Sequence, residues 1–308
     1  MKYLTSLKNI LKNGKILKLI ISFLILIFLF KFINFQLLLN SIKNINYFIF
    51  FALALIPICV LLRAIRWMII INKDKRLIFV KDSYSLTLVG IALNIFLPAS
   101  FGDVAKSYYG YRWHGVKEEM LSSSILDKFI ALLSVFILGC IMAFLFKLYI
   151  LSFVSFSVSF LISIIIFFPD KIPWDQLNRL LNKITGINLD SKKLRSSFKI
   201  SNRIKFITLF ISIIAWVITY LQLFFVCKSF SLDISFIYIL AVAPLITSAV
   251  LFPFTFNGIG SGEAVMVYLF SLVNIPPTLA IIVSLMYSQI LTTIIPGLFG
   301  LAIILKNK

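Results

Sequence analysis

Histidine and cysteine are scarce in this sequence, and the few present are dispersed. His114 is the single histidine, while Cys59, Cys140 and Cys227 each stand alone within an apolar run, without a CxxC pair. Because disulfide frameworks and zinc sites need clustered ligands, neither is expected, and no cofactor is predicted. A Walker loop, a Ser/His/Asp set and a soluble catalytic domain are also missing, so the sequence shows no catalytic residues.

Charged residues are few as well, at 13% of the chain against 61% hydrophobic residues. With a mean hydropathy of +1.04, there is too little polar surface to enclose a soluble core. Continuous apolar runs of roughly 17 to 25 residues recur, each long enough to cross a bilayer as a helix. The alternation typical of membrane β-barrels is missing. The sequence therefore predicts an all-α, polytopic transmembrane helical bundle of about 7–9 membrane segments, forming one domain over residues 1–308.

Nine apolar spans are expected, and the first follows a lysine-rich start at residues 1–18. A signal peptide is the alternative there, but the basic region is long and no small-residue cleavage site follows Phe30, so a retained helix is predicted. The spans are 17–36, 46–70, 79–97, 121–146, 148–168, 205–228, 234–256, 263–274 and 277–305.

Basic residues outnumber acidic ones by thirty to eleven, giving a net charge of +19. They lie between apolar spans, so they are interpreted as positive-inside charge, and no nucleic-acid partner is expected. The basic stretches at 1–18, 63–81 and 170–205 should then be cytoplasmic. This arrangement places the chain in the plasma membrane with both termini in the cytoplasm.

The span at 79–97 cannot cross fully under this charge pattern. If it did, the two spans after it would leave the basic segment 170–205 outside. We therefore expect the span to enter the membrane and turn back at Pro98. A non-helical break at that depth is tolerated where protein or a water-filled cavity satisfies its backbone, so a cavity is predicted.

An amphipathic cytoplasmic connector at 169–205 divides the chain into two half-repeats, 1–168 and 206–308. Each half contains an apolar helix that is interrupted near a proline and followed by glycine and an acid. Such paired interruptions indicate a transporter-type site and a possible inverted repeat. The residues assigned to the breaks are Pro98, Gly102, Pro253, Gly258 and Gly260.

Seven charged residues are candidates for a headgroup site at the breaks. The acids Asp103 and Glu263 each open a new helix, where they could simply complement the helix dipole or could serve a function within the membrane. Arg63 and Arg66 share a helix face, as lipid-interface anchors or as ligands for a lipid phosphate. The candidate cluster is Arg63, Arg66, Asp103, Lys106, Asp127, Lys128 and Glu263. Asp127 and Lys128 could neutralise each other or different partners, and pairing across helices is expected because neighbouring residues point to different sides of a helix.

These residues resemble a known family in order and spacing, from about Leu61 to the end of the chain. The chain resembles the transmembrane region of lysylphosphatidylglycerol synthases and related flippase-like proteins. The residues that carry the resemblance are Arg63-Ala64-Ile65-Arg66-Trp67, Leu97-Pro98, Gly102-Asp103, Lys106, Ser124-Ile125-Leu126-Asp127-Lys128, Gly258-Ile259-Gly260, Glu263, Pro276-Pro277 and Pro296-Gly297. The resemblance implies a lipid-binding domain that moves phospholipids or lipid-linked saccharides between leaflets.

This sequence departs from the family pattern in two ways. Family members often have Gly at the position of Phe101 and Arg at the positions of Lys106 and Lys128. The two lysines keep the positive charge but lose the bidentate geometry of arginine. The large soluble domain of aminoacyl-transferring members has no counterpart, so lysyl transfer by this chain alone is not expected.

Three functions follow, and the first is favoured. It is a lipid translocase, or the lipid-binding core of one. Its basic residues would hold an anionic phospholipid or a polyprenyl-phosphate-linked glycan, and its acidic residues would balance the basic charge or recognise a cationic group. The second is a membrane-embedded transferase with Asp103 or Glu263 as general base. The third is a non-catalytic subunit that docks a separate synthase.

Overall fold

The computed structural model describes residues 34–97, 101–176, 195–196, 198–251 and 259–306. Within these ranges the chain forms α-helices, a short 3₁₀ turn and one π-helical segment, without β-strands, which confirms the all-α prediction. The helices are α1 (Phe35–Lys43), α2 (Phe48–Ile71), α3 (Val80–Asn94), α4 (Gly102–His114), α5 (Lys117–Leu145), α6 (Tyr149–Phe167), α7 (Asn202–Ser229), α8 (Phe236–Leu251), α9 (Ser261–Ser271), α10 (Pro277–Ser284) and α11 (Ile295–Lys306). The 3₁₀ turn covers Pro169–Lys171, and the π segment Leu285–Ile294 joins α10 to α11.

Five helical stretches in the described ranges are long and apolar enough to cross a membrane. They are α2, α5, α6, α7 and the continuous stretch Pro277–Lys306. A helix of 24 residues such as α2 is about 36 Å long, which exceeds a hydrocarbon core of about 30 Å. Large apolar side chains on α6, such as Ile150 and Phe153, point outward, as expected for contact with lipid. The protein is thus a multi-pass integral membrane protein. The predicted first span, 17–36, falls almost entirely outside the described residues.

The first interrupted helix folds into a hairpin of α3 and α4. At 15 and 13 residues, or about 22 and 20 Å, each arm is too short to span the hydrocarbon. Gly102 lies against the backbone of Gly90, leaving no space for a side chain, and Gly110 faces Leu86 near the other end of the pair. These contacts require antiparallel arms, in agreement with the predicted re-entrant turn. The turn residue Pro98 itself lies outside the described residues.

A second hairpin is formed by α8 and α9, of 16 and 11 residues. The two arms meet near the break, where the Ser261 hydroxyl donates to the carbonyl of Ala249 at 3.2 Å. Gly260 precedes α9 with a φ of 92°, a left-handed value that favours glycine. Pro253 and Gly258 lie outside the described residues.

The two hairpins pack against helices from the opposite half of the chain. Helix α2 packs along α7 in the centre, α3 packs along α11, and α8 packs along α5. Gly300 in α11 lies directly on the carbonyl of Leu88, which allows α3 and α11 to approach closely. This exchange of partners suits two related halves, although the half-repeats at 1–168 and 206–308 remain a prediction.

The start and the end of the predicted connector fold back onto the bundle. Trp174 and Phe198 are buried side by side, with ring centroids 4.9 Å apart. Asp170 accepts salt bridges of 2.7 Å from both Lys199 and Arg195, and these hydrogen bonds lower the pKa of its carboxyl group. The described parts of the connector therefore pack on the membrane domain.

Candidate functional site: a cationic cavity between two helical hairpins

A cavity of about 150 Å³ lies between the two hairpins. Its volume is roughly ten times the space that one water needs. Hairpin α3–α4 contributes Asn94, Asp103 and Lys106, and α8 of the second hairpin contributes Thr247 and Val250. Helices α2, α5 and α7 and the π segment complete the walls. A cavity at the breaks is what the sequence predicted.

Asp127 pairs with two cations in the wall of the cavity. Its Oδ1 accepts a hydrogen bond of 2.7 Å from Arg66 Nε, and its Oδ2 lies 3.7 Å from Lys106 Nζ. All three side chains are buried, so the pairing offsets a large desolvation cost. Arg66 also donates from Nη1 to Ser212 Oγ at 2.7 Å. The group joins helices α2, α4, α5 and α7.

Lys106 is held in place by an aromatic ring as well as by charge. Its Nζ lies 4.0 Å from the centroid of the Trp67 ring, a favourable cation–π distance. The indole Nε1–H of Trp67 in turn donates to Ser123 Oγ at 3.1 Å. Trp67 is fully buried, so it supports the site from inside the protein.

Asp103 forms a second charge pair at the start of α4. Its Oδ2 accepts a 2.8 Å salt bridge from Lys128 of α5, and its Oδ1 accepts from Asn94 Nδ2 at 3.1 Å. The carboxylate thus links the end of α3, the first turn of α4 and α5. Asp127 and Lys128 thus pair across helices, as expected, and not with each other, although both have a partner on α4.

Arg63 differs from the other cations of the cavity. It lies one turn before Arg66 on the same wall, with its guanidinium carbon 5.5 Å from the centroid of the Trp216 ring. Among the described residues, no carboxylate forms a salt bridge with it. The lining includes four cations (Arg63, Arg66, Lys106, Lys128) and two carboxylates (Asp103, Asp127), so its formal net charge is +2.

Glu263 lies behind the cavity wall and does not line it. Its Oε2 accepts a 2.6 Å hydrogen bond from the Gly260 N–H, and Ser284 Oγ donates to its Oε1 at 3.4 Å. The carboxylate caps the first turn of its own helix, the structural role considered from the sequence. Ser284, which does line the cavity, separates Glu263 from the space.

Sequence reasoning missed the uncharged polar wall of the cavity. The π segment places Ser288, Gln289, Thr292 and Thr293 along it. These residues occur as two polar pairs four residues apart in an otherwise apolar span, a spacing that marks one helix face. That spacing was the available signal.

Comparison with known proteins agrees with this architecture. The family model described as "Lysylphosphatidylglycerol synthase TM region" matches residues 15–300. The chain belongs to this family. It is also 26% identical over 311 residues to a UPF0104 membrane protein of Methanocaldococcus jannaschii, covering 92% of this chain and 91% of that protein. No solved structure matches the chain significantly.

Membership confirms the resemblance drawn from Arg63, Asp103 and the other motif residues. In this member of the lysylphosphatidylglycerol synthase TM-region family, both hairpins contribute residues to the cationic cavity. Among the described residues, no group of three or more His, Cys, Asp or Glu could hold a metal ion.

Proposed function

We propose that this chain is a lipid translocase, or the lipid-binding core of one, that acts on an anionic lipid. The observation that supports the proposal is the net positive cavity in which Arg63 has no acidic partner among the described residues. A lone guanidinium within the membrane is costly, and a ligand phosphate would neutralise it with bidentate hydrogen bonds. The other cations that line the cavity are paired, so within the described part of the chain Arg63 is the one available to a ligand.

The position of the cavity supports movement of the headgroup and not only its binding. Both hairpins are too short to span the hydrocarbon, and both contribute to the cavity walls. Ligand sites between interrupted helices are typical of transporters, in which such elements rock or open to either side. The headgroup would pass through the cavity while the acyl chains remain in lipid, next to the apolar outer surface.

The transferase alternative has weaker support. A general base in the cavity would be Asp103 or Asp127, and each already accepts a salt bridge from a lysine or arginine. A substrate hydroxyl would have to displace one of these salt bridges before either carboxylate could accept its proton. A new covalent lipid product formed by the purified protein would overturn the translocase proposal.

A vesicle assay with a matched variant tests the proposal. Purified protein is reconstituted with phosphatidylglycerol that bears a fluorescent acyl chain, and dithionite bleaches the outer leaflet. Wild-type protein should allow bleaching to proceed beyond the outer half of the label. Arg63→Gln should slow this movement about tenfold or more, since a hydrogen bond to a charged group contributes about 1.5–3 kcal/mol.

The control is Arg203→Gln, which removes an exposed arginine outside the cavity and should leave the rate unchanged. An undiminished rate in Arg63→Gln would contradict the site. Equal movement of labelled phosphatidylcholine, which is zwitterionic, would contradict selection of an anion.

A further inference from the structure

The cavity has two walls of different chemistry. Its charged residues lie on α2, α4 and α5, whereas the π segment presents hydroxyl and amide groups without charge. The anion site alone does not account for this second wall. A π-helical stretch is uncommon and is frequently found where a helix serves a function.

The polar side chains of the π segment are oriented to accept hydrogen bonds. Thr292 Oγ1 and Thr293 Oγ1 both donate to the carbonyl of Ser288, at 2.7 and 2.9 Å. The Ser288 hydroxyl donates to the carbonyl of Ser284 at 2.8 Å. With their protons engaged, these hydroxyl oxygens retain lone pairs toward a ligand.

Gln289 extends the same acceptor surface. Its Nε2 donates one proton to Ser288 Oγ at 3.3 Å, and its amide oxygen can accept from a ligand while the second N–H can donate. Acceptors dominate this wall, so a ligand that fits it supplies donors. Two classes of headgroup do so, those with hydroxyl groups and those with an ammonium group.

The charges of the cavity decide between these two classes. An ammonium group would seek a carboxylate, but Asp103 and Asp127 already pair with Lys128 and Arg66, and Glu263 is fully buried behind Ser284. The formal net charge of +2 on the cavity lining also repels a cation. Hydroxyl donors carry no such cost.

From these contacts we infer that the cavity holds a phosphodiester whose headgroup is an uncharged polyol, a glycerol or a sugar, with the phosphate at Arg63 and the hydroxyl groups at the π segment. This inference rests on the proposed function, because it names the lipid class that the cavity would take. It excludes aminoacylated and other cationic headgroups as the preferred ligand.

Two lipids of equal charge, one with headgroup hydroxyls and one without, test this inference. Binding of dioctanoyl phosphatidylglycerol and dioctanoyl phosphatidylmethanol to the purified full chain is compared by titration, since both are singly charged phosphodiesters. Phosphatidylglycerol should bind about tenfold more tightly, the gain expected from one or two added hydrogen bonds. Lysyl-phosphatidylglycerol should bind more weakly than phosphatidylglycerol.

A triple variant, Gln289→Leu with Thr292→Val and Thr293→Val, should remove the preference for phosphatidylglycerol over phosphatidylmethanol. The matched control is Thr208→Val, which removes a buried hydroxyl that bonds within α7 outside the cavity. If the triple variant does not fold, the single variant Gln289→Leu replaces it, and its preference for phosphatidylglycerol over phosphatidylmethanol is compared with that of the wild-type protein.

The outcomes separate this inference from the proposed function. Equal binding of phosphatidylglycerol and phosphatidylmethanol, or tighter binding of the lysyl lipid, overturns the polyol inference while an anionic-lipid site stands. Failure of all three lipids to bind overturns the proposed function itself. Glycerophosphoglycerol, the same headgroup without acyl chains, should bind much more weakly, and equal binding would contradict a lipid ligand.

Discussion

Asp127 is the carboxylate on which the buried cations of the cavity depend. It contacts Arg66 at 2.7 Å and Lys106 at 3.7 Å, and all three side chains are almost fully shielded from solvent. Breaking a buried pair leaves a charge without a partner, which costs about 3–5 kcal/mol. Asp127 therefore has a structural role that is separable from ligand binding at Arg63.

We predict that Asp127→Asn strongly destabilises the protein, by about 3–5 kcal/mol, because two buried cations lose their counter-charge. The measurement is the thermal unfolding midpoint in detergent micelles. Adding Lys106→Met should recover part of the loss, since one uncompensated cation is removed.

The matched control is Asp170→Asn, which removes an acid with two salt bridges in an exposed position. No measurable change is expected there, because water and salt screen exposed pairs. If the thermal unfolding midpoint of Asp127→Asn is as high as that of the control, the buried group of Arg66, Lys106 and Asp127 does not contribute to stability.

At the scale of helices, close backbone approaches position the first hairpin. A Cβ at Gly300 would collide with the carbonyl of Leu88, and one at Gly102 with the carbonyl of Gly90. Because the obstructing atoms belong to the backbone, rotamer changes cannot relieve the clash. These glycines therefore determine how near α11 and α4 lie to α3, and so the width of the cavity on that side.

Gly300→Ala should separate α11 from α3 and lower stability by about 1–3 kcal/mol, the usual cost of overpacking. The control is Gly139→Ala in α5, whose Cβ would meet Pro244 Cβ at 3.4 Å, an ordinary contact. Alanine there should be neutral or stabilising by up to about 1 kcal/mol, because glycine weakens helices. Thermal unfolding compares the two, and an equally stable Gly300→Ala would contradict the close packing of α3 and α11.

At the scale of the whole molecule, two re-entrant hairpins reduce the number of times that the chain crosses the membrane. If neither α3–α4 nor α8–α9 crosses, the loop after α9 lies on the face opposite to the described connector residues. The basic connector then remains cytoplasmic, as the positive-inside rule requires. That both termini lie on the cytoplasmic side remains a prediction.

Cysteine labelling in sealed membrane vesicles tests this topology. In a background in which Cys59, Cys140 and Cys227 are replaced by serine or alanine, Asn274→Cys should react with a membrane-impermeant maleimide from outside. Lys199→Cys should react only from the cytoplasmic side. Labelling of both positions from the same side would contradict the two hairpins.

Much of the helix pattern could be predicted because a long apolar run that crosses a bilayer must satisfy its own backbone hydrogen bonds, and a helix is the structure in which a single segment does so. The predicted spans at 46–70, 148–168 and 277–305 differ from the helices by at most two residues at either end. The turn-back of 79–97 also followed from charge counting, since loop charge is set by membrane orientation and not by packing. Pro98 and Pro253, assigned to the breaks, lie outside the described residues.

The partners of each charged residue could not be predicted, because they depend on contacts between distant helices. The sequence by itself determined the membrane bundle, the two breaks and the charges near them, since these follow from local hydropathy and loop charge. Only the tertiary structure decided that Glu263 caps its own helix behind the cavity and that Asp127 is already paired, whereas Arg63 has no acidic partner among the described residues. The physical reason is that the pairing of buried charges is set by the three-dimensional packing of α2, α4 and α5.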